Sequence, residues 1–151
     1  MTLYEFLKFL HVFLAIVAVG FNATYGIWLA RAARQPQQAG FVLSGIKVLD
    51  DRFANPAYGL LLITGFAMVF ESGLSFGTFW IATSLAIFVL IVILGLVGYT
   101  PTLRSQIAVV EAGRADSDEY RALAKRGGIL GGVLGALTVI IVFLMVTKPT
   151  L

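Results

Sequence analysis

The chain has 151 residues, of which 59% are apolar and only 13% charged, with a mean hydropathy of +0.93. A water-soluble domain carries roughly 45–50% apolar and about 25% charged residues, so this composition calls for lipid as solvent. The net charge of +3 comes from basic residues gathered in two short stretches, a pattern of membrane orientation and not of nucleic-acid binding, and the absence of cysteine excludes disulfides, thiolate metal sites and redox thiols.

The first apolar run, about 3–30, is interrupted by Glu5, Lys8, His11 and Asn22. At 1.5 Å per residue it is about 40 Å long against a hydrocarbon core of ~30 Å, which leaves its first two turns among the headgroups. Ala18-Val19-Gly20 has the small-x-small form of a signal-peptide cleavage site, but the start lacks a basic region and the run continues past it, so the segment is read as a retained first span. A polar stretch follows from Arg31 to Arg52, in which 41–51 either lies in the interface or extends the next helix inward.

Asn55-Pro56 reads as an N-cap followed by proline at the first helical position, predicting a second helix over about 56–70. The turn Glu71–Gly77 then predicts tight antiparallel packing, with Phe79-Trp80 as interfacial anchor. A third helix is predicted over 78–99; Pro101 marks its bend or end, although 103–112 can continue it into water. Asp116-Ser117-Asp118-Glu119 reads as a helix start, placing a fourth helix over about 120–147. The expected fold is therefore all-α: one membrane four-helix bundle with a short outer turn and two longer cytoplasmic loops. Nine of the eleven Lys and Arg lie in those loops, leaving Lys8 and Lys148 elsewhere, so the loops are placed inside and both termini outside.

Helix four carries Gly127, Gly128, Gly131, Gly132 and Gly135, and helix three adds Gly95 and Gly98. Four-residue glycine spacing lets backbones approach where lipid gives no hydrophobic drive, either within the monomer or between copies. Helix one has a polar stripe at three- and four-residue steps: Tyr4, Lys8, His11, Asn22 and Tyr25. Asn22 requires a partner in the membrane, with Tyr25 or Thr64 as candidates. His11, the single histidine, is the best metal or haem ligand in the chain, and Met68 and Met145 lie toward the same side; a histidine with thioethers suits haem b or cuprous copper. No nucleophile–base pair, phosphate-binding glycine loop or paired intramembrane carboxylates are found, which points away from hydrolysis and phosphoryl transfer.

Leu10-His11, Asn55-Pro56-Ala57, Leu62-Ile63-Thr64-Gly65, Pro101 and the closing Met145-Val146-Thr147-Lys148-Pro149 together resemble the bacterial integral membrane family called domain of unknown function 2269. That resemblance implies a four-span inner-membrane protein with no assigned activity. More loosely, the early Leu-His pair resembles HemJ-type protoporphyrinogen oxidases and CopD-type copper-resistance domains, which implies His11 as a haem or copper ligand. This chain has no second histidine, and no buried helix-three lysine matches the HemJ pattern. Three readings follow: a non-catalytic component of a membrane complex or homo-oligomer, a redox protein centred on His11, and a small permease completed by oligomerisation.

Overall fold

A computed structural model describes residues 1–149. All regular structure among them is helical: α1 (Leu3–Arg34), α2 (Ala39–Leu49), α3 (Asn55–Ser72), α4 (Phe79–Ile93), α5 (Thr100–Glu111) and α6 (Asp118–Thr147). Four continuous rods are long and apolar enough to cross a membrane: Leu3–Arg34, Pro36–Ser72, Phe79–Glu111 and Asp118–Thr147. The termini and the 73–78 turn lie at one end of the bundle, here the terminal end, and the other two connections form the loop end.

Local chemistry sets the boundaries. At the start of α1 the Thr2 hydroxyl accepts from the Glu5 N–H (3.2 Å) while the Thr2 N–H donates to the Glu5 carboxylate (2.8 Å), a capping box that satisfies two otherwise free groups. Gly73, at φ 68°, takes the left-handed conformation that stops α3. Ser117 caps α6 by accepting from the Tyr120 N–H (3.1 Å), at the start read from 116–119.

Three expectations are corrected. The first span runs past 30, since α1 reaches Arg34; the chain then reverses over 35–38 and α2 begins at Ala39, so of the two alternatives for 41–51 the inward extension of the next helix is the one found. Asn55 is not an N-cap, because its backbone is helical (φ −62°, ψ −47°) and it sits inside a continuous rod. A π turn over Asp50–Ala54 precedes it, in which the Asn55 N–H donates to the Asp50 carbonyl. A second π turn, Leu94–Tyr99, precedes Pro101 in the same way, with the Thr100 N–H donating to Gly95. Proline lacks an N–H and its ring collides with the carbonyl four residues back; the wider turn absorbs both effects and the helix continues. The third rod thus passes Tyr99 and runs to Glu111, the continuation over 103–112 that the sequence allowed.

The third correction concerns packing. α1 lies along α3 and α4 along α6, while at the loop end α2 meets α5. Among the described residues α3 and α4 nowhere approach within 8 Å, Cα to Cα, although only a short turn joins them. Phe76 folds the turn back onto α3, meeting Phe66 and Phe70 edge-on at centroid distances of 5.5 and 5.4 Å, and Tyr58 of α3 reaches across to Phe88 of α4 at 6.3 Å. The second and third spans therefore form a V that closes toward the loop end.

Burial follows that shape. The larger core is at the loop end, where Leu43 is fully buried among Ile46, Leu103, Val109 and Tyr120. A smaller cluster, Leu14, Ala18 and Ala57, seals α1 against α3. At about 55 Å and 50 Å, the 37- and 33-residue rods exceed a ~30 Å hydrocarbon core, so this larger core extends past the bilayer as a helical head.

Candidate functional site

Polar side chains on the spans form three groups. The first, toward the terminal end, joins α1 to α3: His11 Nδ1 lies 2.8 Å from Thr64 Oγ1. The Thr64 hydroxyl donates to the Leu60 carbonyl at 2.8 Å, so its one proton is engaged. Nδ1 is then the donor, and Nε2 carries the free lone pair. Gly65 makes room for the ring, since a Cβ there would lie 3.3 Å from His11 Cε1. Met68 follows Thr64 by one turn on the same α3 face. Met145 is on α6, which packs on α4 and comes nowhere within 8 Å of α3.

The second group lies deeper on the same interface. Asn22 Nδ2 donates to the Ala18 carbonyl (2.8 Å) and to the Tyr58 hydroxyl (3.1 Å). Asn22 is thus paired with Tyr58, whereas Thr64, its sequence-based candidate, holds His11. Leu14, Ala18 and Leu61 fill the interface between the two pairs. The polar stripe of α1 is interrupted there, and Lys8 stands exposed outside it.

The third group lies near the loop end; Tyr25 in it belongs to the stripe read from the sequence, whereas Asp50 and Tyr99 are not among the sequence-based site candidates. Asp50, in the first π turn, is only 7% exposed. Its neighbour Asp51 pairs with Lys47, and among the described residues no Lys or Arg forms an ion pair with Asp50. Its one side-chain hydrogen bond comes from Asn55 Nδ2, at 3.5 Å. Tyr25, 3% exposed, presents a hydroxyl with no partner, and Tyr25, Tyr58 and Tyr99 all lie within electrostatic range of Asp50. By helix rise, Tyr25, Asp50 and Tyr99 each lie about 30–33 Å from the terminal end of their spans, at one depth near the edge of the hydrocarbon core. The signal available in the sequence was the Asp-Asp pair one turn before a proline, which also describes a solvated helix start.

The glycines of α6 divide between two faces. A Cβ on Gly127 would lie 2.6 Å from Gln106 Nε2, which crosses from α5 to donate to the Leu123 carbonyl at 3.2 Å. Gly131 faces Tyr99, while Gly128, Gly132 and Gly135 open onto free space. At the terminal end Lys148 lies 5.4 Å from the Trp80 ring centroid, which ties the closing Thr-Lys-Pro to the start of α4. Two surface hollows, of about 390 and 360 Å³, are lined by Arg31 and Arg34 and by Asp116 and Arg121 respectively; neither adjoins His11.

Among known proteins, the family described as "Predicted integral membrane protein (DUF2269)" matches residues 5–149, and the chain belongs to that family. No curated protein and no solved structure matches it. The protein is an integral membrane protein with four candidate spans.

Proposed function

From that family membership, we propose that the protein is a non-catalytic component of a larger assembly in the bacterial inner membrane, seated with both termini outside. One observation carries this reading. The polar side chains between α1 and α3 bind one another, His11 with Thr64 and Asn22 with Tyr58, across an apolar seal of Leu14, Ala18 and Leu61. Such pairs hold helices together and do not converge on a chamber, which favours packing over passage of a solute. The test is gentle extraction from native membranes followed by native mass spectrometry. Copurification with other membrane subunits at fixed stoichiometry is expected; a lone monomer in the mildest detergent overturns the proposal.

A second reading rests on the free lone pair at His11 Nε2. Haem b or copper would be held by that atom, with Met68 on the neighbouring helix as the nearest thioether by register. The expected signature is a Soret band, or stoichiometric copper, that His11→Ala removes. A colourless and metal-free preparation overturns this second reading and leaves the first standing.

A further inference from the structure

Asp50 is a buried carboxyl without a cation. We propose that it carries a proton and, with the Tyr25 hydroxyl, forms a proton-exchange site reached from the loop end of the bundle. The site is independent of the assembly proposed above, since it lies in the core of a single chain.

The groups within electrostatic range of Asp50 come from three elements. Its own rod supplies Lys47, Asp51, Asn55 and Tyr58, α1 supplies Tyr25, and the third span supplies Tyr99. Lys47 is already held by Asp51, so the one nearby cation is engaged elsewhere. An ionised carboxylate in such surroundings is strongly disfavoured unless it is paired and hydrogen-bonded, and the long Asn55 contact at 3.5 Å is a poor substitute for both. A proton removes the charge and turns the carboxyl into a donor. The Tyr25 hydroxyl is a buried polar group left without a partner on α1, the helix that packs against this π turn; no hydrogen bond joins it to Asp50 here, and a small side-chain movement is what would bring the two together. Among the described residues no cluster of three His, Asp or Glu is present, so the donor set suits a proton better than a multivalent ion.

By helix rise Asp50 lies at the loop-end edge of the hydrocarbon core with Asp51 exposed beside it, whereas toward the terminal end the apolar seal of Ala18 and Leu61 intervenes, so the loop end is the shorter way to water. A proton can therefore enter and leave at the loop end without crossing the bilayer, which makes the site a proton-responsive element and not a conduit. π turns recur at functional sites because they break helical hydrogen bonding locally, and Asp50 opens one.

The test uses the full chain in nanodiscs and dicyclohexylcarbodiimide, an apolar reagent that adds to protonated carboxyls. At neutral pH a single adduct on Asp50 is expected by peptide mapping, absent in Asp50→Asn and unchanged in Asp51→Asn. Failure of Asp50 to label, or equal labelling of Asp51, overturns the proposal, as does labelling that sodium chloride suppresses at constant pH. Asp50→Asn is isosteric with the neutral acid, so its thermal midpoint should match the parent; a large drop would show that the fold uses the charged form. Tyr25→Phe should move the pH at which labelling appears, and an unmoved profile removes Tyr25 from the site.

Discussion

At the scale of single residues, the contact between His11 and Thr64 assigns a job to the Thr-Gly pair of the second span. Thr64 accepts the imidazole N–H, and Gly65 leaves room for the ring. Thr64→Val keeps the shape and removes the hydroxyl acceptor, leaving the His11 ring only the Leu61 backbone within the α1–α3 interface. Interhelical hydrogen bonds in membranes contribute about 0.6 kcal/mol on average and up to about 1.7. A loss of about 1–2 kcal/mol is expected by unfolding in mixed micelles, with Thr64→Ser near the parent; equal losses in both would show that the methyl group, not the hydroxyl, matters. The stripe on α1 was legible because it repeats at helical steps, but its partners were not. The sequence offers Tyr25 or Thr64 for Asn22 and the structure gives Tyr58, since sequence does not give the axial register between two helices. Asp50 is illegible for a related reason: next to Asp51 and Arg52 it has the look of a solvated turn, and it is the packing of α1 against the π turn that buries it.

At the scale of elements, the same dipeptide can begin a helix or sit within one. Asn55-Pro56 has every local mark of a cap, yet the rod passes through it on a π turn, and Thr100-Pro101 repeats the arrangement. The apolar residues upstream favour continuation, because with α2 in line with α3 Leu43 and Ile46 are buried in the loop-end core. Glycine spacing in α6 shows a similar limit. Four-residue series mark two faces equally well, but only the Gly127 side meets a neighbour, where a Cβ would strike the buried, hydrogen-bonded Gln106 amide. Gly127→Ala should therefore destabilise the bundle by about 1–3 kcal/mol through overpacking. Gly128→Ala, which meets nothing, should leave stability unchanged or raise it slightly through helix propensity. Thermal melts of the two variants in one detergent decide this, and the reverse order would mean that α6 is rotated about its axis.

At the scale of the whole molecule, four crossings follow from composition alone, but the V of the second and third spans does not. A six-residue turn can join helices in contact or helices that stand apart with the turn's Phe76 packed on α3, and hydropathy is the same in both. Direction across the bilayer rests on charge: the loop end carries Arg31, Arg34, Lys47, Arg52, Arg104, Arg114, Arg121, Lys125 and Arg126, and the terminal end Lys8 and Lys148. Ion pairs neutralise three of the loop-end cations, Lys47, Arg114 and Arg121, in the folded state. The rule that positive loops stay inside acts on Lys and Arg as such, with little contribution from acidic residues, so these pairs should not weaken the bias. Because the chain has no cysteine, a single introduced thiol reports its own side without further changes. Ala112→Cys, exposed at the turn after α5, should resist a membrane-impermeant maleimide in intact cells and react once the cells are opened. Leu74→Cys, exposed in the turn between α3 and α4, should react in both. The opposite pattern would invert the molecule and place Asp50 toward the outer face, so that any proton exchanged there would come from outside the cell.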